Sequence, residues 1–285
     1  MHGYVGNRAA TFPLQYQGWD VDAFNTVHFS NHTGYGKVAG TKTSAQELSE
    51  IYENIKRIGF HYDAFLTGYT PSAEAVKVLG EIGVDLKTRF PDLMWQLDPV
   101  LGDEGILYVS EEVIPIYKDI MRTGNVTTIT PNWFEAELLT GVKMTTVEDI
   151  KRVLDIFHND FKVPNVVITS VKIENKLWTV GSQSGATPFY YEQVPIPSYF
   201  TGTGDLFSAL ILSSLYTLKN LDAAIGRSLY ILRKVLSDTY EHSKLHLSEG
   251  AKRGDGDKMK HLELRIIPCR AVFETTETFE SSRPL

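Results

Sequence analysis

Small residues and one acid stand together at Thr201-Gly202-Thr203-Gly204-Asp205, and an apolar run, Leu206-Phe207-Ser208-Ala209-Leu210-Ile211-Leu212, follows at once. Glycine permits a tight turn and close backbone approach. A helix that starts after such a turn aims free N–H groups and the positive end of its dipole at an anion. Asp205 would sit inside that cradle as a proton acceptor for a hydroxyl, while the amides steady a transferring phosphoryl group. The chemistry suggested is phosphoryl transfer to a small molecule. Taken alone, the pentapeptide reads equally well as a helix N-cap with incidental glycines. It matches neither G-x-G-x-x-G, since Phe207 holds the last glycine position, nor G-x-x-x-x-G-K-[ST].

Other polar groups fall just after strand-like runs. Tyr69 follows Asp63–Thr67, Asp98 follows Met94–Leu97, Asn132 follows Val126–Ile129, and Thr169-Ser170 close Asn165–Thr169. Loops at the carboxyl ends of parallel strands gather ligand-facing groups. Blander readings stand beside these. Asp98 can be an acidic turn residue before Pro99, and Tyr69 can pack in the core. Asn132 can cap a helix, with Glu135 at the capping-box spacing.

The elements that must position these groups alternate. Val21–Val27 is a short strand candidate. Residues 44–58 read as a helix capped by Ser44, with Glu47 as the reciprocal cap. A second helix runs over Ser72–Gly83, a third starts at Glu135, and a fourth covers Asp149–Phe157. Leu177–Val180 and Phe189–Val194 are strands around a turn at Gly181–Gly185. A helix follows Asp205, residues 222–240 are amphipathic, and Leu262–Ile267 resembles a late strand. The expectation is an α/β fold with a mainly parallel central sheet and helices on both faces. It is expected as one domain over residues 1–285, with a flexible charged insert near 248–258.

The 285 residues are 42% hydrophobic and 22% charged, which fits a folded globular chain. The net charge of -7 and the lack of a basic block argue against a broad nucleic-acid surface. Cys269 is the only cysteine, so an intramolecular disulfide and a cysteine-rich metal site are excluded. No apolar run reaches the roughly 18 residues of a membrane span, and the first residues have no signal-like apolar region. The expected compartment is the cytoplasm, with the nucleus as a second.

Several stretches, in order, resemble the pyridoxal kinases of the ribokinase-like superfamily. They are residues 3–15 (Gly3-Tyr4-Val5-Gly6-Asn7 onward), Phe29–Tyr35, Leu66–Tyr69, Asp98–Asp103, Ile129–Leu138, Val167–Ser170 and Gly202–Asp205. The resemblance implies transfer of the ATP γ-phosphate to the 5'-hydroxymethyl oxygen of pyridoxal, pyridoxine or pyridoxamine. It implies Asp205 as catalytic base and Gly202, Thr203 and Gly204 as the anion-binding turn. Val27, Thr33 and Tyr69 would meet the vitamer. Asp98, Asp103, Asn132, Glu135, Thr169, Ser170, Ile196, Phe200 and Thr203 would meet ATP, although Phe200 and Ile196 could simply pack in the core. Asp98 and Glu135 would organise Mg2+, partly through water, and a monovalent cation, K+, is expected as well. Residues 35–41 match a flap over the bound molecules. His32 is then read as a structural or hydrogen-bonding residue, since Asp205 takes the base role. The family commonly forms homodimers.

One departure concerns the pyridine ring. The resemblance implies a first strand before His2-Gly3-Tyr4 that ends in a ring-contacting serine, and this sequence begins at Met1-His2. The vitamer site is the part this departure touches, while the phosphate cradle and base are intact. The alternatives are a related hydroxymethylpyrimidine or sugar-alcohol kinase, and a truncated ligand-binding protein without catalysis.

Overall fold

In the computed structural model, residues 2–252 and 255–285 are described. Arg253 and Gly254 of the expected insert lie outside the described residues. Two compact units emerge, Met1–Lys42 with Val194–Glu280, and Thr43–Gln193 with Ser281–Leu285.

The first unit opens with helix α1 (Asn7–Tyr16) and a small hairpin of β1 (Val27–Phe29) and β2 (Gly40–Lys42). The hairpin is antiparallel, with Phe29 opposite Gly40. The expected strand over Val21–Val27 begins only at its last residue. Asp22, Ala23 and Asn25 are exposed, and the Asn7 side chain bonds the Phe24 carbonyl and Asn25, so this stretch has little apolar surface to bury in a sheet.

The second unit begins with α2 (Ala45–Ile58), β3 (Ala64–Thr67), α3 (Ala73–Arg89) and β4 (Met94–Leu97). It continues with β5 (Gly102–Asp103), β6 (Ile106–Leu107), α4 (Val113–Arg122), β7 (Thr128–Ile129), α5 (Trp133–Thr140) and α6 (Val147–Asp155). Strands β8 (Asn165–Ile173), β9 (Lys176–Gln183), β10 (Phe189–Gln193) and the late β11 (Arg283–Pro284) complete it. Ser44 caps α2 by accepting the Glu47 N–H, but the return bond from Glu47 does not form. The helix expected to stop at Gly83 runs on to Arg89. Gly80 and Gly83 do not end it; they let it approach the Ile120 side chain and the Trp95 ring, which a Cβ at either position would overlap.

Seven strands form one sheet in the order β11-β10-β9-β8-β7-β4-β3. The half from β3 to β8 is parallel, and the half from β8 to β11 is antiparallel. The sheet is thus mixed, flanked by helices, with buried apolar runs such as Val166-Val167-Ile168 on its central strands. The carboxyl ends of β3, β4 and β7 lie directly before Gly68-Tyr69, Asp98 and Thr130-Pro131-Asn132, whereas β8 runs past the expected end at Thr169 to Ile173, so Thr169-Ser170 lie inside it at a register shift.

The chain then returns to the first unit with α7 (Thr203–Leu218), α8 (Leu221–Ser243) and the short α9 (Gly256–Met259). Leu206, Leu210, Ile231 and Val235 pack with Ala9, Leu264, Ile266 and Phe273 in one core. The stretch Leu262–Ile267 is not a strand. Its alternate residues Leu262, Leu264 and Ile266 are buried, so side-chain packing without a paired backbone produces the strand-like pattern. The insert near 248–258 is anchored where it is described. Ala251 is buried, its N–H reaches Ser198 Oγ, and its carbonyl accepts from Tyr199 N.

Candidate active site

In the first unit, Gly202 caps α7 with a left-handed backbone, φ 83°. A side chain there would also overlap the Tyr4 carbonyl oxygen, so both conformation and space call for glycine. No side chain caps the helix. The first-turn N–H groups of Thr203, Gly204 and Asp205 therefore have no intrahelical acceptor, and the adjacent Thr201 Oγ1 is buried without a hydrogen-bond partner. The helix start thus falls at the turn expected to bind an anion. Desolvation raises the Asp205 carboxyl above the ordinary aspartate range, opposed by a hydrogen bond from the Gly6 N–H.

Residues 2–6 link this turn to the hairpin. His2 N donates to Ser30 O (2.7 Å). A 3-10 turn, Thr33–Tyr35, follows β1. Thr33 is exposed and Val27 half-buried. Ile196 is half-buried, and Phe200 packs against the core of this unit, which favours its packing role. His32 is buried, with Nε2 3.0 Å from Glu263 Oε1, a hydrogen-bonding role as expected. Glu263 itself escaped the sequence reading, because it stands inside the stretch taken for a strand. The signal was there: a single carboxylate between two apolar positions, Leu262 and Leu264.

In the second unit the acids are organised by backbone. Glu135 and Asn132 form a full capping box at the start of α5. Glu135 Oε2 accepts from Asn132 N (2.8 Å), and Oε1 accepts from Leu101 N (3.0 Å) and Gly102 N (3.3 Å). Asn132 Nδ2 donates to Gly102 O at 2.8 Å. Burial, then the nearby Asp98 charge, raise the Glu135 carboxyl well above the glutamate range against these three donors. Asp98, also buried, holds its place through Asp98 N to Thr67 O (2.8 Å). Asp103 lies in the β5–β6 hairpin, whose turn residues Glu104 and Gly105 both have positive φ. That is the two-residue turn suited to this twist.

Thr169 N donates to Pro131 O (2.9 Å), and Thr169 forms an isolated parallel bridge with Asn132. Ser170 has φ 60° at the register shift between Ile168 and Val171. A non-glycine residue held there costs about 1 kcal/mol or more. Tyr69 is half-buried after β3, and burial raises its phenol. Asp98, Asn132, Glu135, Thr169 and the loop at Gly102 are thus brought together at one sheet end.

Among the described residues, no group of three His, Cys, Asp or Glu side chains is placed to hold a metal alone. Both Glu135 oxygens accept N–H donors, so Glu135 would meet a cation through water while Asp98 would meet it directly. The Asp98–Glu135 pair still fits a cation: two buried carboxylates repel each other, and positive charge beside Asp98 would relieve them.

A mixed sheet with polar groups after its parallel strands and a glycine-capped acid at a helix start is the ribokinase-like class of small-molecule kinase. Residues 24–249 match the family model described as phosphomethylpyrimidine kinase. Human pyridoxal kinase is 38% identical over 299 residues, covering 97% of this chain and 93% of its own length. The pyridoxal kinase of Leishmania donovani solved with ADP and pyridoxine aligns with a TM-score of 0.88 at 29% identity, covering 100% of this chain and 96% of that one. The Plasmodium falciparum PdxK solved with AMP-PNP and PL gives 0.83 at 27% identity, covering 99% and 94%. The chain belongs to the pyridoxal kinase family.

Proposed function

We propose that this protein transfers the γ-phosphoryl group of ATP to the 5'-hydroxymethyl oxygen of pyridoxal, pyridoxine or pyridoxamine. The observation that carries the reading is the likeness to pyridoxal kinases along nearly the whole chain. In this reading the vitamer rests on Val27, Thr33 and Tyr69. Asp205 accepts the alcohol proton as its oxygen bonds to the γ-phosphorus. The bond to the β,γ-bridging oxygen breaks, and ADP leaves. The N–H groups of Thr203, Gly204 and Asp205 offset the charge on the moving group. Asn132, Thr169 and Ser170 donate to the nucleotide phosphates, Asp98 faces them through the cation, and Asp103 meets the nucleotide or a cation-bound water, with Glu135 holding their loops. Ile196 and Phe200 would line the site of the adenine base, Phe200 while also packing on the core of its unit. Mg2+ would be held by the ATP phosphates and Asp98, where it screens phosphate charge.

The test is pyridoxal 5'-phosphate and ADP formation by purified protein with ATP, Mg2+ and K+. Wild type is expected to form both in equal amounts, and Asp205→Asn to lose at least about 100-fold in kcat, within the range of general-base removal. Equal turnover in Asp205→Asn would falsify the base assignment. The family model's description favours one second reading, a hydroxymethylpyrimidine acceptor. A panel of the three vitamers against hydroxymethylpyrimidine separates the two by kcat/KM.

A further inference from the structure

Glu263 joins three segments that are far apart in sequence. Its Oε2 accepts from Tyr4 N at 2.8 Å, and its Oε1 accepts from Tyr35 Oη at 2.7 Å and lies 3.0 Å from His32 Nε2. The His32 side chain is 3% exposed and that of Glu263 15%. The His32 ring packs on Tyr35 with centroids 4.5 Å apart. Gly3 and Gly34 close around the imidazole, since a Cβ on Gly3 would overlap it and one on Gly34 would come within 2.9 Å of Nδ1. Met259 of α9 lies against Gly34 from the other side.

The two ends of this cluster bear on the proposed acceptor site. Thr33 follows His32 directly. Tyr4 presents its carbonyl to Gly202, and Gly6, two residues on, donates its N–H to Asp205. We infer that Glu263 is a positioning residue for the acceptor alcohol: it fixes the turn at residues 3–6 against Gly202–Asp205 and fixes the segment that carries Thr33, without touching the vitamer. The inference rests on the kinase reading above. A carboxylate suits the task because it is acceptor-only, and all three groups that meet it can donate. Glutamine supplies one acceptor oxygen and an NH2 group that faces donors.

The experiment compares wild type with Glu263→Gln, Glu263→Asp and Tyr35→Phe, and with the Glu263→Gln/Tyr35→Phe double variant. It reads KM for pyridoxal, KM for ATP, kcat and Tm. For Glu263→Gln we expect the pyridoxal KM to rise about tenfold with the ATP KM within about twofold. Tyr35→Phe, which removes one donor only, should raise the pyridoxal KM about threefold, and the double variant should fall short of the product of the two. Glu263→Asp should recover part of the loss. A merely structural role would lower Tm or the yield of active protein and leave the pyridoxal KM alone. Unchanged pyridoxal KM in both Glu263→Gln and Tyr35→Phe overturns the inference and leaves the kinase reading standing. A wild type that neither phosphorylates nor binds any vitamer, by calorimetric titration, sinks both.

Discussion

Asp205, the proposed base, is set in a place that penalises its charge. Its folded-state carboxyl is raised by burial, so above the ordinary aspartate pKa of about 3.9 the folded state carries a cost that the unfolded chain does not. Asp205→Asn removes that cost and keeps an oxygen for the Gly6 N–H. The variant should be at least as stable as wild type at pH 7 while losing activity, and the stability difference should vanish as pH falls below about 4. Thermal melts across pH check this; a variant less stable at pH 7 than at pH 4, relative to wild type, contradicts it. Glu135 behaves in the opposite way on truncation. Its oxygens receive three backbone N–H groups, and each buried donor left bare costs about 1–3 kcal/mol. Glu135→Ala should therefore lose about 3 kcal/mol or more in urea unfolding, and Glu135→Gln distinctly less. These roles were half legible. The Asn132/Glu135 spacing announced a capping box, but the bond from Glu135 to Leu101 and Gly102 is a long-range contact that no local spacing encodes.

At the scale of elements, the two glycines of α3 show how sequence signals mislead. In a helix interior glycine costs roughly 1 kcal/mol relative to alanine, so the second of them, Gly83, suggested a terminus. Here each buys close packing. The neighbours of Gly80 are Cγ1 and Cδ1 of the buried Ile120 side chain, 2.6 and 2.8 Å from an added Cβ, of which only Cδ1 moves freely about χ2; the neighbour of Gly83 is the rigid ring of the buried Trp95, at 2.3 Å. Overpacking costs about 1–3 kcal/mol, set against the gain of about 1 in propensity. Gly83→Ala should be destabilising by about 1–2 kcal/mol and Gly80→Ala by less, read from urea midpoints. Equal effects would mean that the Trp95 ring yields as easily as Ile120. Strands β3, β4 and β8 and helices α2, α7 and α8 were readable because their apolar periods are sustained. The two-residue strands β5, β6 and β11 were not, since a pattern of two positions has no period. Leu262–Ile267 carried a true period of two and still formed no strand.

Across the whole chain, the candidate nucleotide groups Asp98, Asp103, Asn132, Thr169 and Ser170, with Tyr69, belong to one compact unit, while Asp205 and the α7 turn at Thr203, with Val27, Thr33, Ile196 and Phe200, belong to the other. The net charge of -7 opposes a polyanionic ligand at long range, so ATP affinity must come from short-range donors such as the first-turn amides of α7 and the polar groups after the parallel strands. The two sets of groups should then fail separately. A non-hydrolysable ATP analogue with Mg2+ at about 100 times its Kd stabilises a folded protein by about 2.7 kcal/mol, which for a chain of this size is a rise of roughly 5 °C in Tm. Asp205→Asn should keep most of that rise, because the substitution leaves every phosphate-facing group in place. Asn132→Ala removes the donor to Gly102 O and the acceptor for Glu135 N, which loosens the loop as well as the contact. Its rise should fall to about half or less, while its affinity for pyridoxal stays near that of wild type. Loss of the nucleotide-induced rise in Asp205→Asn, or an undiminished rise in Asn132→Ala, would show that the roles given to these two residues are drawn in the wrong place.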